Sequence, residues 1–343
     1  RHVTVGGAVA ADIHGKNHHR DGSFGDYVDE IDLLAPSGRI TVRPDRDADA
    51  FWATAGGMGL TGVIAEVTLR LLPIETSTIS VDTDRADDLD AAMAMMEEGD
   101  AKYNYTVAWI DCLARGAHMG RAVLLRGDHV KLDDLTAAAR QNPLRFTPAT
   151  RLKVPPMVPG GLMNKFTIAA FNEAWFRKAP KHQSGHLDSI EHFFHPLDGV
   201  ADWNRLYGPH GFLQYQFAVP FGAEEVVRHT IQTFSEAGTP SFLAVLKRFG
   251  PGTPGHLSFP QPGWTLALDM PASVPGLGRL LDKLDERVAA AGGRIYLAKD
   301  SRMQPEMLAA MYPRLDEWRE IQVRLDPDGV MQSDLSRRLR LTR

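Results

Sequence analysis

The alternation of apolar and polar positions outlines a chain of short strands and medium-length helices. Val28–Leu34 and Arg39–Arg43 flank Pro36-Ser37-Gly38, the pattern of a β-hairpin. Between Gly62 and Leu72 the residues Val63, Ala65, Val67, Leu69 and Leu71 alternate with mostly polar neighbours, predicting a half-buried strand that stops at Pro73. Asp47–Thr54 fits one or two helical turns, and residues 1–20 read as a short strand, a glycine turn and a polar, histidine-rich loop. From Thr78 the texture is strand (Thr78–Val81), helix (Ala86–Glu98), strands (Tyr103–Asp111, Arg121–Arg126) and helix (around Leu132–Gln141). Pro143–Gly161 reads as a proline-rich linker or lid. Further strands are predicted at Leu213–Val219, Ser241–Lys247 and Thr265–Asp269, with helices at Glu224–Ala237 and Gly278–Ala291. A strand at Arg294–Ala298 and helices at Gln304–Met311 and Arg314–Leu325 follow.

This order predicts an α+β fold with an antiparallel sheet and helices on one side. The length of 343 residues favours two domains, drawn as 1–76 with 294–343, and 77–293. A net charge of −5 leaves no basic stripe for nucleic acid. The longest apolar run is broken by Glu66 and Arg70, far short of a membrane span. One cysteine, Cys112, excludes an internal disulfide and leaves the compartment open. The opening Arg1–Gly7 has the texture of mid-domain sequence, so the chain reads as N-terminally truncated, by on the order of 100 residues.

Two segments carry candidate chemistry. The first runs from Thr4, Val5, Gly6 and Gly7 to His14, Gly15, Lys16, Asn17, His18 and His19. Adjacent glycines let the backbone approach a phosphate or a ring, and such a density of polar donors after an apolar stretch is costly without a ligand or solvent. His14 and His18 stand four apart, but Gly15 disfavours a helix between them, so a metal is not expected. The second is F-W-A-T-A-G-G-M-G-L-T-G over residues 51–62, whose spacing does not fit a dinucleotide-binding fingerprint. It reads either as backbone packed against backbone or as a surface for a flat cofactor.

Together these segments resemble the FAD-binding domain of the vanillyl-alcohol oxidase family, in particular its sugar and aldonolactone oxidase branch. The closing run from Tyr312-Pro313-Arg314 to Asp326-Pro327-Asp328-Gly329 resembles that family's return to the flavin domain. DIHGKNHH, Tyr207-Gly208-Pro209 with GFLQYQF, SFLAVLKRFGP, LSFPQPGW and GGRIYLAKDSR extend the likeness through the substrate half. The resemblance implies non-covalent FAD, with Thr4–Gly7, His14–Asn17, Ile64 and Tyr296 beside it. It also implies that the family's first flavin-binding half lies upstream of Arg1. The implied substrate is a polyprenyl-phosphate-linked pentose, finished by a separate NADH-dependent keto-reductase, in a protein of the cell envelope that could associate peripherally with the membrane. A soluble sugar lactone, or a non-catalytic partner-binding fragment, are the alternatives.

Within the substrate half the resemblance places Gln214, Gln216, Lys247 and Lys299 at the flavin face. Lys16, Trp175, Leu243, Phe249 and Ala267 would wall the pocket. Gln214 and Gln216 alternate on one strand and so face the same side, while lysines in a partly apolar cleft can hold a phosphate or act at a shifted pKa. Lys299 could be the base or a stabiliser of reduced flavin. Ala267 stands where well-known members carry a cysteine, Thr265 where they carry an asparagine and Phe194 where they carry a tyrosine.

Overall fold

The computed structural model describes residues 2–158 and 161–342. Its strands are β1 (Val28–Ala35), β2 (Gly38–Val42), β3 (Val63–Leu69), β4 (Thr78–Ala86), β5 (Tyr105–Ile110), β6 (Ala122–His129) and β7 (Leu152–Lys153). They continue as β8 (His182–Ser189), β9 (Val200–Ala201), β10 (Phe212–Pro220), β11 (Ala244–Phe249), β12 (Gly263–Pro271) and β13 (Arg294–Ile295). The α-helices are α1 (Val5–Ala10), α2 (His18–Asp21), α3 (Ala48–Thr54), α4 (Leu89–Gly99), α5 (Lys165–Lys178) and α6 (Ile190–Phe194). Then come α7 (Glu224–Ala237), α8 (Leu277–Ala290), α9 (Pro305–Met311), α10 (Leu315–Leu325) and α11 (Asp334–Leu339).

Three strands form a small sheet in the order β2-β1-β3, and eight form the large one, β13-β10-β12-β11-β5-β6-β4-β8. Every pairing in the large sheet is antiparallel. Along its centre Tyr215, Phe217, Val219, Leu246, Leu266 and Leu268 are buried in one core with Val227, Ile231 and Phe234 of α7 and Leu281, Leu284 and Val288 of α8. The α+β class and the hairpin therefore stand as the periodicity predicts.

Four local readings change. Gly6 and Gly7 do not form a turn after a strand; they lie in the first turn of α1, whose end is capped by the Thr4 hydroxyl accepting from Gly7 N–H at 3.2 Å. The helix expected around Leu132–Gln141 is only two 3₁₀ turns, Leu132–Asp134 and Ala139–Gln141, and Leu135 is the buried anchor there. On β3 it is Ile64, Val67 and Leu69 that pack on the core while Val63 stands exposed, because the β1–β3 register shifts between Asp32 and Leu33. The lid reading covers residues 159 and 160, which lie outside the described residues; Leu152 and Lys153 within it pair in parallel with Val200 and Ala201.

The C-terminal helices return to the small sheet. Buried Trp318 on α10 donates its indole N–H to the Ala53 carbonyl at 2.9 Å, and Gln322 donates to the Leu60 carbonyl at 3.1 Å. The glycine-dense segment 56–59 packs backbone on backbone: Gly56 and Met58 N–H donate to the Val9 and Ala10 carbonyls, and a Cβ at Gly57 would meet the Ala53 carbonyl oxygen at 2.0 Å. Of the two readings of that segment, the packing one is what the structure displays.

Candidate active site

The site grows out of strand register. In the antiparallel ladder Gln216 pairs with Ala267, Gln214 with Asp269 and Ala218 with Thr265, while Lys247 pairs with Thr265 and Val245 with Ala267. Directly paired residues share a face. Gln214, Gln216, Thr265, Ala267, Asp269 and Lys247 therefore line the side of the sheet opposite the α7–α8 core. The loop carrying His14 lies against this face. It is held by Asp12, a fully buried carboxylate at φ 41°, which accepts from Gly25 N–H at 2.8 Å, from Thr253 at 2.7 Å and from the Ser258 hydroxyl.

His14 contacts three aromatic rings, Phe249, Phe259 and Tyr296, at centroid distances of 4.7, 5.7 and 5.4 Å. Its two nitrogens meet Gln216 Nε2 at 3.0 Å and Lys247 Nζ at 2.9 Å. Burial, with Lys247, His18 and Lys299 nearby, holds the imidazole well below its usual range, so the ring is neutral and has one N–H. The Thr265 hydroxyl donates to the Phe217 carbonyl at 2.9 Å and accepts from Gln216 Nε2 at 3.1 Å. One assignment of protons satisfies all four contacts. The Gln216 amide donates to both Thr265 and His14 Nε2, His14 carries its proton on Nδ1, and the Lys247 amine accepts it. An ammonium has no lone pair to accept with, so with this tautomer of His14 Lys247 is the neutral amine.

Electrostatics point the same way. Burial first, then Lys16 and Lys299, bring Lys247 down from 10.5 to about 7. Burial likewise brings Lys16 to about 8, although Asp188 pulls it back up. Lys16 donates to the Phe193 carbonyl and its Nζ lies 4.2 Å from the centre of the Phe193 ring. Lys299 stands in the more exposed mouth, lowered by burial and raised by Asp269. Among the described residues none of these three lysines forms an ion pair.

Sequence reasoning missed Asp12 and Asp269. Asp269 is buried and pushed up to about 6 by burial; one oxygen accepts from Gln214 at 2.5 Å and the other is buried without a partner, as is the nearby Tyr207 hydroxyl. The two-residue spacing to Ala267 on a strand was the available signal. Tyr296 joins the His14 cluster and Ile64 lies on β3, which packs against α1. Leu243 flanks the face, its carbonyl accepting from Asp269 N–H at 3.0 Å. Trp175 is not gathered into the His14 cluster: it is 41% exposed on α5 and stacks on Phe171. Gly15 and Asn17 form the turn beside His14, with the Asn17 amide tied to Asp21 at 2.8 Å. His18 packs on Phe249 and bonds Ser23 at 3.0 Å.

An amine cluster with no directly paired carboxylate among the described residues, beside aromatic rings, suits an electron-accepting ring system that gains negative charge. The exposed Val3 and Val5 and the open space at Gly6 leave room for it to lie along α1. Residues 268–339 match the D-arabinono-1,4-lactone oxidase family. Fold, site and match together define an FAD-linked oxidoreductase. The chain is 45% identical over 344 residues to the decaprenylphosphoryl-β-D-ribose oxidase of Mycolicibacterium smegmatis (strain ATCC 700084 / mc(2)155), across 99% of this chain and 74% of that protein, and it belongs to that protein's family. It is also 43% identical to a Streptomyces coelicolor protein described as "uncharacterized protein in mprA 5′ region", across 99% of this chain and 93% of that one.

Proposed function

We propose that this protein oxidises the ribose 2′-hydroxyl of decaprenylphosphoryl-β-D-ribose to the 2′-keto sugar. A separate NADH-dependent reductase would then complete epimerisation to the arabinose donor for cell-wall arabinan. The observation that carries the chemistry is the hydrogen-bond chain that leaves Lys247 an acceptor. FAD, when bound, supplies the hydride acceptor. Residues Thr4–Gly7, His14–Asn17, Ile64 and Tyr296 would hold it without a covalent link. Lys247 takes the proton of the reacting hydroxyl as the C–H bond is broken, its single lone pair passing from the His14 N–H to the sugar hydroxyl when substrate binds, while His14 and Gln216 hold the amine in place. Gln214 and the free oxygen of Asp269 bind neighbouring hydroxyls. Lys16 and Lys299 supply positive charge for the phosphate and for the charge that builds on the cofactor ring.

The family match over 268–339 supports a second reading, oxidation of a soluble sugar lactone. The two separate on product analysis. Turnover of the lipid-linked ribose, trapped with borodeuteride, should place deuterium at C2 of the sugar. Unlabelled sugar, with rapid turnover of arabinonolactone, would overturn the proposal.

A further inference from the structure

The C-terminal helix α11 sends one side chain to the loop that carries Lys299. Arg338 donates through Nη2 to the Asp300 carboxylate at 2.7 Å and through Nη1 to the Met303 carbonyl at 2.7 Å. Asp300 adjoins Lys299 in the chain, and its side chain is only 2% exposed. Its second carboxylate oxygen accepts from Arg302 N–H at 3.0 Å and from Met303 N–H at 2.8 Å. Both oxygens are therefore engaged, one by α11 and one by the backbone that follows. Lys299 N–H donates to the Tyr296 carbonyl at 2.9 Å and Asp300 N–H to the Leu297 carbonyl at 3.2 Å, so the two residues lie in consecutive turns.

The parts that hold this loop are themselves fixed. Arg302 donates to Asp282 and, at 2.6 Å, to Asp285, both on α8. On α11 Leu339 is buried, and Arg319 of α10 donates to the Leu341 carbonyl at 3.1 Å and to the Arg340 carbonyl at 2.5 Å. Lys299 forms no ion pair among the described residues, although a carboxylate sits on the adjoining residue. A carboxylate as buried as Asp300 needs a partner. Without Arg338, the Lys299 ammonium is the cation on hand to take its place, and opposite charges attract strongly where little water intervenes.

We propose that Arg338 is a positioning residue for Lys299: by holding the Asp300 carboxylate it keeps the Lys299 charge turned to the cofactor ring. This rests on the proposal that Lys299 supplies charge to that ring. Arg338 itself acts only through Lys299, and that is what separates it from an ion pair that merely holds the fold.

The flavin midpoint potential and the single-turnover rate of flavin reduction by decaprenylphosphoryl-β-D-ribose test it in Arg338→Met, Lys299→Ala and the double variant. Arg338→Met should slow reduction by roughly 10–10²-fold, the effect of a misplaced group, and lower the potential. In the Lys299→Ala background the same substitution should change neither, because residues that act as a unit are not additive. Arg338→Lys, which restores a charge beside Asp300 without the two-pronged grip, should recover part of the rate. Asp300→Asn cuts the same link with little change of shape and keeps an oxygen for the Arg302 and Met303 N–H groups. It carries the test if Arg338→Met does not hold flavin. Wild-type rate and potential in Arg338→Met and Asp300→Asn, or an equal loss with and without Lys299, overturns the proposal. A wild-type rate in Lys299→Ala alone removes the role of Lys299 and this inference with it, whereas a slow Lys299→Ala with additive losses overturns the inference and leaves that role standing.

Discussion

A lysine kept neutral inside a fold is a local burden, and Lys247 makes that burden measurable. The unfolded chain holds its ammonium up to the ordinary 10.5, whereas the folded chain releases it near 7. Below 7 both states are protonated and the fold carries the whole burial penalty. Between 7 and 10.5 the folded chain has released the proton while the unfolded chain still holds it, so the penalty fades steadily as pH rises and is gone above 10.5. Lys247→Met should therefore raise stability below pH 7 by roughly 1–3 kcal/mol, a gain that vanishes near pH 10. It should also cut turnover by roughly 10²–10⁴-fold. Thermal unfolding across pH checks the first, and a variant less stable at every pH would make Lys247 structural. In the wild type, substrate oxidation should rise as pH rises through about 7, since the neutral amine is the active form. Ala267, half-buried between Gln216 and Val245, can take a thiol with little change in volume. Ala267→Cys should keep turnover within a few-fold and gain a reactive thiol. Iodoacetamide labelling followed by mass spectrometry reads this, because the native Cys112 is buried and its thiol is pushed far up.

At the scale of elements, the site depends on one loop being seated on one sheet, and Asp12 is the seat. Asp12→Ala removes the acceptor for Gly25 N–H and for the Thr253 and Ser258 hydroxyls at once. A loss of about 2–4 kcal/mol is expected in chemical denaturation, and an unchanged midpoint would contradict the assignment. Much of this scale was legible beforehand. Alternation put Gln214 and Gln216 on one face, and the amphipathic helices α7, α8 and α10 fall within a residue or two of their predicted limits. What escaped has physical reasons. The edge strand β8, His182–Ser189, buries almost nothing, so it carries no apolar period to read. Helix α5 buries only Ile168 and Asn172 and leaves Phe166, Phe171 and Trp175 outside, which blurs its stripe. Two glycines at the start of α1 mimic a turn because helix propensity is weak evidence beside the Thr4 cap and the packing of Ala8 and Val9. Strand-to-strand register, which brings Lys247 beside Thr265 and Asp269 beside Gln214, is a long-range property that no local pattern contains.

At the scale of the molecule, the two ends of the chain close on one another. Trp318 and Gln322 of α10 dock on α3 and its following loop, and Ser37 N–H donates to the Leu325 carbonyl at 3.0 Å. Strand β13, just before Tyr296 and Lys299, extends the large sheet beside β10. The amine cluster thus draws His14 and Lys16 from the N-terminal loop, Lys247 from the middle and Lys299 from the C-terminal part. Lys299→Ala should retain FAD, since His14, Lys16 and Lys247 remain, yet lose turnover by roughly 10²–10⁴-fold. Steady-state assay beside the flavin absorbance spectrum separates the two effects. The most direct test of the whole account is anaerobic, single-turnover mixing of the flavin-loaded protein with decaprenylphosphoryl-β-D-ribose, followed by absorbance of the oxidised flavin. The account predicts rapid bleaching in the wild type and, with flavin still bound, bleaching slowed by roughly 10²-fold or more in Lys247→Met. Wild-type bleaching in Lys247→Met, or bleaching by arabinonolactone and not by the lipid-linked ribose, would contradict it.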